Sequence, residues 1–136
     1  AQHLAAEFTG RFYLDRPPLF AEALHVNSSY LTAVANDYGY DEVFSRLVLA
    51  KCVKGDILIG ISTSGNSNNV CKALSQAKKL KVKTVSFIGE NKGQMAVLSD
   101  VSIGVPSIDT PRVQEMHILV GHLICEMVEK IIFDGF

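Results

Sequence analysis

The stretch "GDILIGISTSGNSNNV", residues 55–70, decides the fold because a strand pattern changes within it to a polar loop and then to a helix pattern. The predicted strand, Asp56 to Ile61, is apolar from its second residue onward, as is typical of a strand buried on both faces of a parallel sheet. The segment "NNVCKALSQAKKL" that follows has apolar residues on one helical face and lysines on the other. A strand, a loop and an amphipathic helix in this order form one unit of a parallel α/β fold.

Strand and helix patterns alternate along the rest of the chain. Helices are predicted over 28–35, 41–52 and 93–100, and further strands over 19–24, 83–88 and 101–105. Apolar strands separated by helices indicate an α/β fold, a doubly wound parallel sheet with helices on both faces. The sequence contains no linker or internal repeat, so we expect a single domain over residues 1–136.

The amino-acid composition excludes several classes of protein. With 48% hydrophobic residues and a mean hydropathy of +0.21, the 136 residues can form one compact core. Thirteen basic and fourteen acidic residues give a net charge of −1 without a basic run, so we expect no nucleic acid partner. No apolar stretch reaches the roughly 18 residues of a membrane span, so no membrane partner is expected. The three separated cysteines disfavour disulfides and a cysteine zinc site, and they fit a reducing cytoplasm.

The loop between the strand and the helix is rich in hydroxyl groups. Ser62, Thr63, Ser64 and Ser67 fall at the carboxyl edge of the predicted sheet, where open α/β folds bind ligands. The next helix N-terminus offers free N–H groups and a partial positive charge, and Gly65 lets the backbone turn closely around a ligand. We interpret the loop as a phosphate cradle; a capped connection of polar turn residues is the alternative. The loop lacks the Lys of a nucleoside triphosphate loop, which disfavours a nucleotide.

Two further groups of polar residues have the spacing of ligands or catalysts. His3 and Glu7 are four residues apart and share one helical face, as metal ligands do and as solvated surface neighbours also do. Gln114 and His122 lie within the apolar last helix, where polar side chains need partners. A hydrogen-bonded core histidine would satisfy the same pattern. His117 has no comparable context, and we expect it to be structural.

The last helix, predicted from Thr110, is more apolar than an ordinary surface helix. Its apolar residues cover far more than one stripe: Val113, Met116, Leu119, Val120, Leu123, Ile124, Met127, Val128, Ile131 and Ile132. A sheet of the predicted size can cover only one side of such a helix. We therefore expect a partner subunit to cover the rest, which makes the protein a homo-oligomer.

Four blocks of the sequence resemble the phosphoheptose isomerases, the sedoheptulose 7-phosphate isomerase branch of the sugar isomerase (SIS) domain family. The blocks are "AQHLAAEFTGRF", "ANDYGYDEVFSR", "GDILIGISTSGNSNNV" and "RVQEMHILVGH", and they occur in the family's order. The resemblance implies a SIS-type, flavodoxin-like sandwich. It also implies that the family's N-terminal helix, first strand and Asn-Gly-Gly-Ser turn precede Ala1, so that residues 1–136 form an N-terminally incomplete SIS domain.

The resemblance further implies an aldose-ketose isomerase. Such an enzyme converts sedoheptulose 7-phosphate to D-glycero-D-manno-heptose 7-phosphate by proton transfer through an enediol, in heptose biosynthesis for lipopolysaccharide or other surface glycans. The alternative is a non-enzymatic relative, such as a replication-initiator-associating factor that acts through protein contacts. The presence of the His3/Glu7 pair and of His122 favours the enzyme.

The resemblance assigns functional roles to polar positions of this sequence. The phosphate loop corresponds to Ser62, Thr63, Ser64 and Ser67, and further substrate contacts correspond to Asn36, Asp37 and Gln114. The ligands of one zinc ion per site correspond to His3, Glu7, Gln114 and His122. In the implied reaction, Glu7 acts as the base and His122 as the acid.

The resemblance implies a tetramer, and helix geometry indicates where its sites lie. Gln114 and His122 are eight residues apart, which corresponds to about 12 Å along the helix axis. Their side chains barely span that distance to share one ion about 2 Å from each ligand. Either both side chains reach inward to their limit, or each site lies between subunits. We favour the second arrangement, with Glu7 and His122 contributed by different chains.

Overall fold

The computed structural model describes residues 1–134, in which helices and strands alternate. The helices are α1 (Gln2–Thr9), α2 (Ser28–Tyr38), α3 (Val43–Lys51), α4 (Asn68–Lys79), α5 (Gly93–Leu98) and α6 (Thr110–Glu129). The strands are β1 (Ile57–Ile61), β2 (Lys83–Ile88) and β3 (Val101–Gly104). A 3₁₀ turn, Tyr40–Glu42, precedes α3, and a π-helical turn, Lys130–Asp134, follows α6.

The three strands form one parallel sheet in the order β1-β2-β3. The register pairs Ile59 with Val85 and Val85 with Val101. Helices α4 and α5 connect successive strands over one face, while α1 and α6 cover the other face. The chain thus winds over both sides of the sheet, and the predicted fold class, a doubly wound α/β sandwich, is confirmed.

Strand β2 separates the two sides of the core. On the side of α1 and α6, the fully buried Phe87 packs with Cys125. On the side of α4, the fully buried Ile88 packs with Leu74. Complete burial of a large apolar side chain contributes about 2 kcal/mol of transfer free energy. Neighbouring residues of β2 therefore anchor opposite helical layers, as the alternation of side chains along a strand requires.

The strand predicted over residues 19–24 is wrong. This segment pairs with none of the described strands. The N–H of Leu19 instead donates to the carbonyl of Phe8 at 3.0 Å, which ties the segment to the end of α1. Pro17 and Pro18 precede it, and because proline lacks an N–H they favour extended chain without sheet pairing.

Helix α6 leaves a stripe of apolar side chains uncovered in the single chain. Met116, Leu119, Leu123 and Met127 follow one another at helical spacing and are 41 to 59% exposed. We call these four residues the α6 stripe. A contiguous exposed row of large apolar side chains is typical of a protein interaction surface. Apolar as α6 is, neither it nor another helix within residues 1–134 has the length and hydropathy needed to cross a bilayer.

A carboxylate just before β3 fixes the pairing of β2 with β3. Oδ2 of Asp100 accepts hydrogen bonds from the N–H of Thr84 at 2.9 Å and from Oγ1 of Thr84 at 3.2 Å. The N–H of Asp100 donates in turn to Oγ1 of Thr84 at 2.9 Å. The hydrogen bond from the Thr84 N–H holds the pKa of the Asp100 carboxyl below its ordinary value, so folding favours the charged carboxylate.

We expect Asp100→Asn to destabilise the protein more at neutral pH than in acid. Because the folded-state pKa of Asp100 is lowered, its contribution is complete above the unfolded-state value of about 4 and is lost as the pH falls through the folded-state pKa. Urea unfolding at neutral pH and at about pH 3 measures the difference from wild type. The exposed Asp15→Asn variant is the control. A loss of stability that is independent of pH would contradict the prediction.

Candidate active site

The serine-rich loop between β1 and α4 brings three hydroxyl groups together. Oγ of Ser62 lies 2.8 Å from Oγ of Ser67 and 3.3 Å from Oγ of Ser64. Ser62 is buried at the end of β1, whereas Ser64 is exposed. Ser67 occupies the N-cap position of α4, but its side chain makes no capping hydrogen bond. The hydroxyls thus lie beside a helix N-terminus whose N–H groups can bind an anion.

Backbone hydrogen bonds hold the serine-rich loop in place. Gly65 has a left-handed φ of +66°, and its carbonyl accepts a hydrogen bond from the N–H of Met95 in α5 at 2.9 Å. The carbonyl of Thr63 accepts one from the N–H of Gly89, directly after β2, at 3.1 Å. The loop is therefore bonded to two neighbouring segments. Its hydroxyl positions are set before a ligand binds, which lowers the entropic cost of binding.

Helices α1 and α6 bring two histidines and one glutamate together. Nε2 of His3 lies 2.9 Å from Nε2 of His122 and 3.4 Å from Oε1 of Glu7. One nitrogen or oxygen atom from each of the three lies within 4.8 Å of the others. His3 is exposed, and Glu7 and His122 are half-buried, so solvent reaches the group. We call these three residues the His-Glu cluster.

The donor atoms of the His-Glu cluster fit a divalent metal ion. Two imidazole nitrogens and a carboxylate oxygen are the protein ligands of many catalytic zinc sites, which leave a fourth position open. Ligands about 2.1 Å from a tetrahedral ion lie about 3.4 Å from one another. The distance from His3 to Glu7 equals this value, and the two histidine nitrogens, 2.9 Å apart, would have to separate by about 0.5 Å. The nearby thiol of Cys125 is a poor competing ligand, because burial first and the Glu7 carboxylate next raise its pKa.

The two helices approach closely because residue 121 has no side chain. Leu4 packs on Gly121, where an added Cβ would lie 2.6 Å from Cδ2 of Leu4. Leu4 follows His3 directly in the sequence, and Gly121 directly precedes His122. This contact therefore sets the distance between the ligands of α1 and the ligand of α6.

The prediction that Glu7 and His122 come from different chains is wrong. One chain is sufficient to bring both into the His-Glu cluster. The physical reason is that α1 packs along the middle of α6, so its ligands meet His122 without a second subunit. The separation of Gln114 from His122 along α6, on which the prediction was based, gives no information about the position of α1.

The other predicted site residues lie elsewhere. Within residues 1–134, no hydrogen bond joins Gln114, Asn36 or Asp37 to the His-Glu cluster or to the serine-rich loop. Gln114 is exposed and lines a cavity of about 160 Å³ with Leu4 and His117. Asn36 and Asp37 are exposed on the last turn of α2, where Nδ2 of Asn36 donates to Oδ1 of Asp37 at 3.2 Å. Their roles as fourth ligand and substrate contacts stay predictions.

His117 connects α6 to the sheet. Its Nε2 lies 3.1 Å from the carbonyl of Ile88, and because a carbonyl only accepts, Nε2 carries the proton. Nδ1 is buried and has no hydrogen-bond partner among the described residues. This geometry agrees with the structural role expected for His117.

A buried pair of charged residues near the His-Glu cluster was not predicted from the sequence. Glu129 lies seven residues after His122 on α6, and its carboxylate pairs with Arg16 at 2.9 Å in a buried ion pair. A carboxylate in an apolar helix is the same signal that identified Gln114 and His122, so Glu129 could have been found. Arg16 lies in a polar loop and has no comparable signal.

Comparison with protein families identifies the class to which this fold and site belong. A family model described as "SIS domain" matches residues 1–89, more than half of the chain. The matched part contains α1, the serine-rich loop and the first two strands. The chain belongs to the SIS domain family.

Individual proteins similar to this chain are phosphoheptose isomerases. One from Helicobacter pylori is 58% identical over 130 residues, which are 96% of this chain and 68% of that protein. One from Sulfurimonas denitrificans is 54% identical over 136 residues, 99% of this chain and 70% of that protein. The solved structure of a phosphoheptose isomerase from Francisella tularensis matches with a TM-score of 0.92 at 34% identity, over 96% of this chain and 70% of that one. The predicted resemblance to phosphoheptose isomerases is therefore confirmed.

We expect Gly65→Ala to distort the serine-rich loop. An added Cβ would lie 2.2 Å from the carbonyl oxygen of Lys92, and the φ of +66° disfavours alanine as well. Gly39→Ala is a matched control, because Gly39 has a φ of +90° but open space around the Cβ position. Both variants should lose about 1 to 3 kcal/mol from backbone strain at positive φ, and the clash with the Lys92 carbonyl should add to the loss of Gly65→Ala in urea unfolding. Equal losses would show that the loop accommodates the methyl group.

Proposed function

We propose that the protein is an aldose-ketose isomerase that converts sedoheptulose 7-phosphate to D-glycero-D-manno-heptose 7-phosphate. The observation that carries this proposal is the His-Glu cluster, in a chain whose relatives are named phosphoheptose isomerases. Carboxylate and imidazole groups are the side chains that most often transfer protons in catalysis near neutral pH. The enzymatic names of these relatives disfavour the non-enzymatic alternative.

The proposed reaction moves a proton between neighbouring carbon atoms. A base removes a proton from the carbon beside the ketose carbonyl while an acid protonates the carbonyl oxygen, which gives an enediol. The proton then returns to the former carbonyl carbon as the hydroxyl on the neighbouring carbon loses its proton and becomes the aldehyde oxygen. Glu7 is the proposed base, and its two carboxylate oxygens allow one to ligate a metal while the other accepts the proton. His122 is the proposed acid for the substrate oxygen; because its Nε2 faces the metal position, the proton that it supplies would be the one on Nδ1.

Zinc is the proposed metal. His3, Glu7 and His122 would hold it, with Gln114 as the predicted fourth ligand. When bound, the ion would act as a Lewis acid for the oxygen atoms on the reacting carbons.

The serine-rich loop is the proposed site for the phosphate of the sugar. The hydroxyls of Ser64 and Ser67 both lie within 3.3 Å of the Ser62 hydroxyl, beside the N-terminus of α4. Hydroxyl and backbone N–H groups at a helix N-terminus suit a phosphate dianion. Phosphate binding away from the reacting carbons would orient the substrate for proton transfer.

A homotetramer is the proposed assembly, with the α6 stripe as part of its interface. Obligate interfaces are large and bury rows of apolar side chains. Because His122 directly precedes Leu123 of the stripe, a partner on the stripe would also lie near the His-Glu cluster. We further propose that the enzyme is cytoplasmic and supplies heptose for lipopolysaccharide or other surface glycans.

We expect Ser64→Ala and Ser67→Ala to weaken phosphosugar binding by roughly 1 to 3 kcal/mol, the range for hydrogen bonds to a charged group. Calorimetric titration of the full-length protein with sedoheptulose 7-phosphate measures the change. Thr32→Ala is the control, because the Thr32 hydroxyl donates to the carbonyl of Ser28 within α2. Unchanged affinity in both loop variants would make the loop a plain connection.

Glu7→Gln and His122→Gln should each lower kcat by roughly a hundredfold or more, as expected for the loss of a general base or acid. The assay follows conversion of sedoheptulose 7-phosphate by full-length protein. His25→Gln, which changes an exposed histidine outside the cluster, is the control. If a folded Glu7→Gln or His122→Gln variant keeps near-normal turnover, the role of that residue is wrong. An inactive wild-type protein would contradict the proposed function itself.

A further inference from the structure

Arg16 and Glu129 form an ion pair almost without solvent contact. Nε of Arg16 lies 2.9 Å from Oε1 of Glu129, and the two side chains are 3% and 2% exposed. Burying two charges is costly unless further hydrogen bonds satisfy both groups. The partners of each charge therefore indicate what the pair holds in place.

The Glu129 carboxylate holds the segment that follows α1. It accepts hydrogen bonds from three consecutive backbone N–H groups, Phe12 at 3.2 Å, Tyr13 at 2.8 Å and Leu14 at 3.0 Å. Burial raises the pKa of Glu129, but these N–H groups together with Arg16 outweigh burial and leave the pKa below its ordinary value. Glu129 is thus a charged anchor on α6.

The Arg16 guanidinium holds the C-terminal end of α1. Nη2 donates to the carbonyl of Glu7 at 2.9 Å, and Nη1 donates to the carbonyl of Phe8 at 2.7 Å. These are carbonyls of the last helical turn, which lack partners within the helix. The ring of Phe133 lies 5.5 Å from the guanidinium carbon and packs against it. Arg16 therefore bonds the backbone of Glu7 itself.

We infer that Arg16 and Glu129 are positioning residues for the metal and proton-transfer site, an inference that rests on the proposed function. The pair fixes one end of α1 to α6 two turns beyond His122, while the packing of Leu4 on Gly121 fixes the helix nearer its start. Two fixed points define both the separation and the rotation of α1. Loss of the pair leaves one fixed point, so the ligands on α1 no longer keep a constant geometry toward His122.

The test compares three variants of the full-length protein. Arg16→Lys keeps the positive charge but donates from one nitrogen, whereas Arg16 uses three separate nitrogens for the Glu129 carboxylate and the two α1 carbonyls. Glu129→Gln keeps the shape of the side chain and removes its charge. Glu22→Gln makes the same chemical change in the exposed pair of Glu22 with Lys51 and is the matched control.

Zinc affinity by chelator competition and the visible spectrum of bound cobalt are the primary measurements. We expect Arg16→Lys and Glu129→Gln to bind zinc about tenfold to a hundredfold more weakly than wild type, the usual cost of losing a group that orients a ligand. The cobalt spectrum should change in both variants. In assays at saturating zinc, kcat should fall while KM for sedoheptulose 7-phosphate changes little. The proposed phosphate site, the serine-rich loop, lies between β1 and α4 and does not depend on the position of α1. Glu22→Gln should match wild type throughout.

The outcomes separate the inference from the proposed function. If Arg16→Lys and Glu129→Gln bind zinc as wild type does, with unchanged cobalt spectra and only a lower Tm, the pair is structural and the inference is overturned. If wild type neither binds zinc nor isomerises the phosphosugar, both the proposed function and the inference that rests on it are wrong. Should both Arg16→Lys and Glu129→Gln fail to fold, Glu129→Asp keeps the charge and shortens the side chain by one methylene group. A folded Glu129→Asp protein with wild-type zinc affinity and an unchanged cobalt spectrum would then overturn the inference.

Discussion

The packing of α1 against α6 is the contact on which the candidate active site depends. Helix α1 has eight residues, fewer than a helix needs to be stable alone in water. Its conformation must therefore come from tertiary contacts, and those contacts are Leu4 on Gly121 and the buried charges of Arg16 and Glu129. Two of the three cluster residues lie on this short helix. The His-Glu cluster is consequently a property of the folded domain and not of a local sequence motif.

The serine-rich loop and the His-Glu cluster are held by different parts of the fold, and α6 connects them. The loop is bonded to the segment after β2 and to α5, while the cluster lies between α1 and α6. His117 bonds the carbonyl at the end of β2, and His122 follows five residues later, about 7.5 Å along the helix axis. A straight helix thus fixes the position of the proposed reaction centre relative to the sheet edge that carries the loop.

The limits of the sequence predictions follow from the kind of interaction involved. The strand Lys83–Ile88 was predicted with the bounds observed, because a short, largely apolar run between two helix patterns can be recognised from neighbouring residues alone. Residues 19–24 are also largely apolar, but they contain no β-branched residue, and strand formation requires a partner strand that composition does not reveal. The convergence of Glu7 with His122 within one chain depends on a contact between residues more than a hundred positions apart. Spacing along α6 alone could not show it.

The absence of a side chain at Gly121 makes residues 4 and 121 share one volume. A methyl group at position 121 would occupy space now filled by Cδ1 and Cδ2 of Leu4. A larger residue at 121 therefore requires either that the terminal carbons of Leu4 move aside or that a smaller residue, such as alanine, replaces Leu4. The combined volume of residues 4 and 121 therefore sets how closely the two ligand-bearing helices can approach each other.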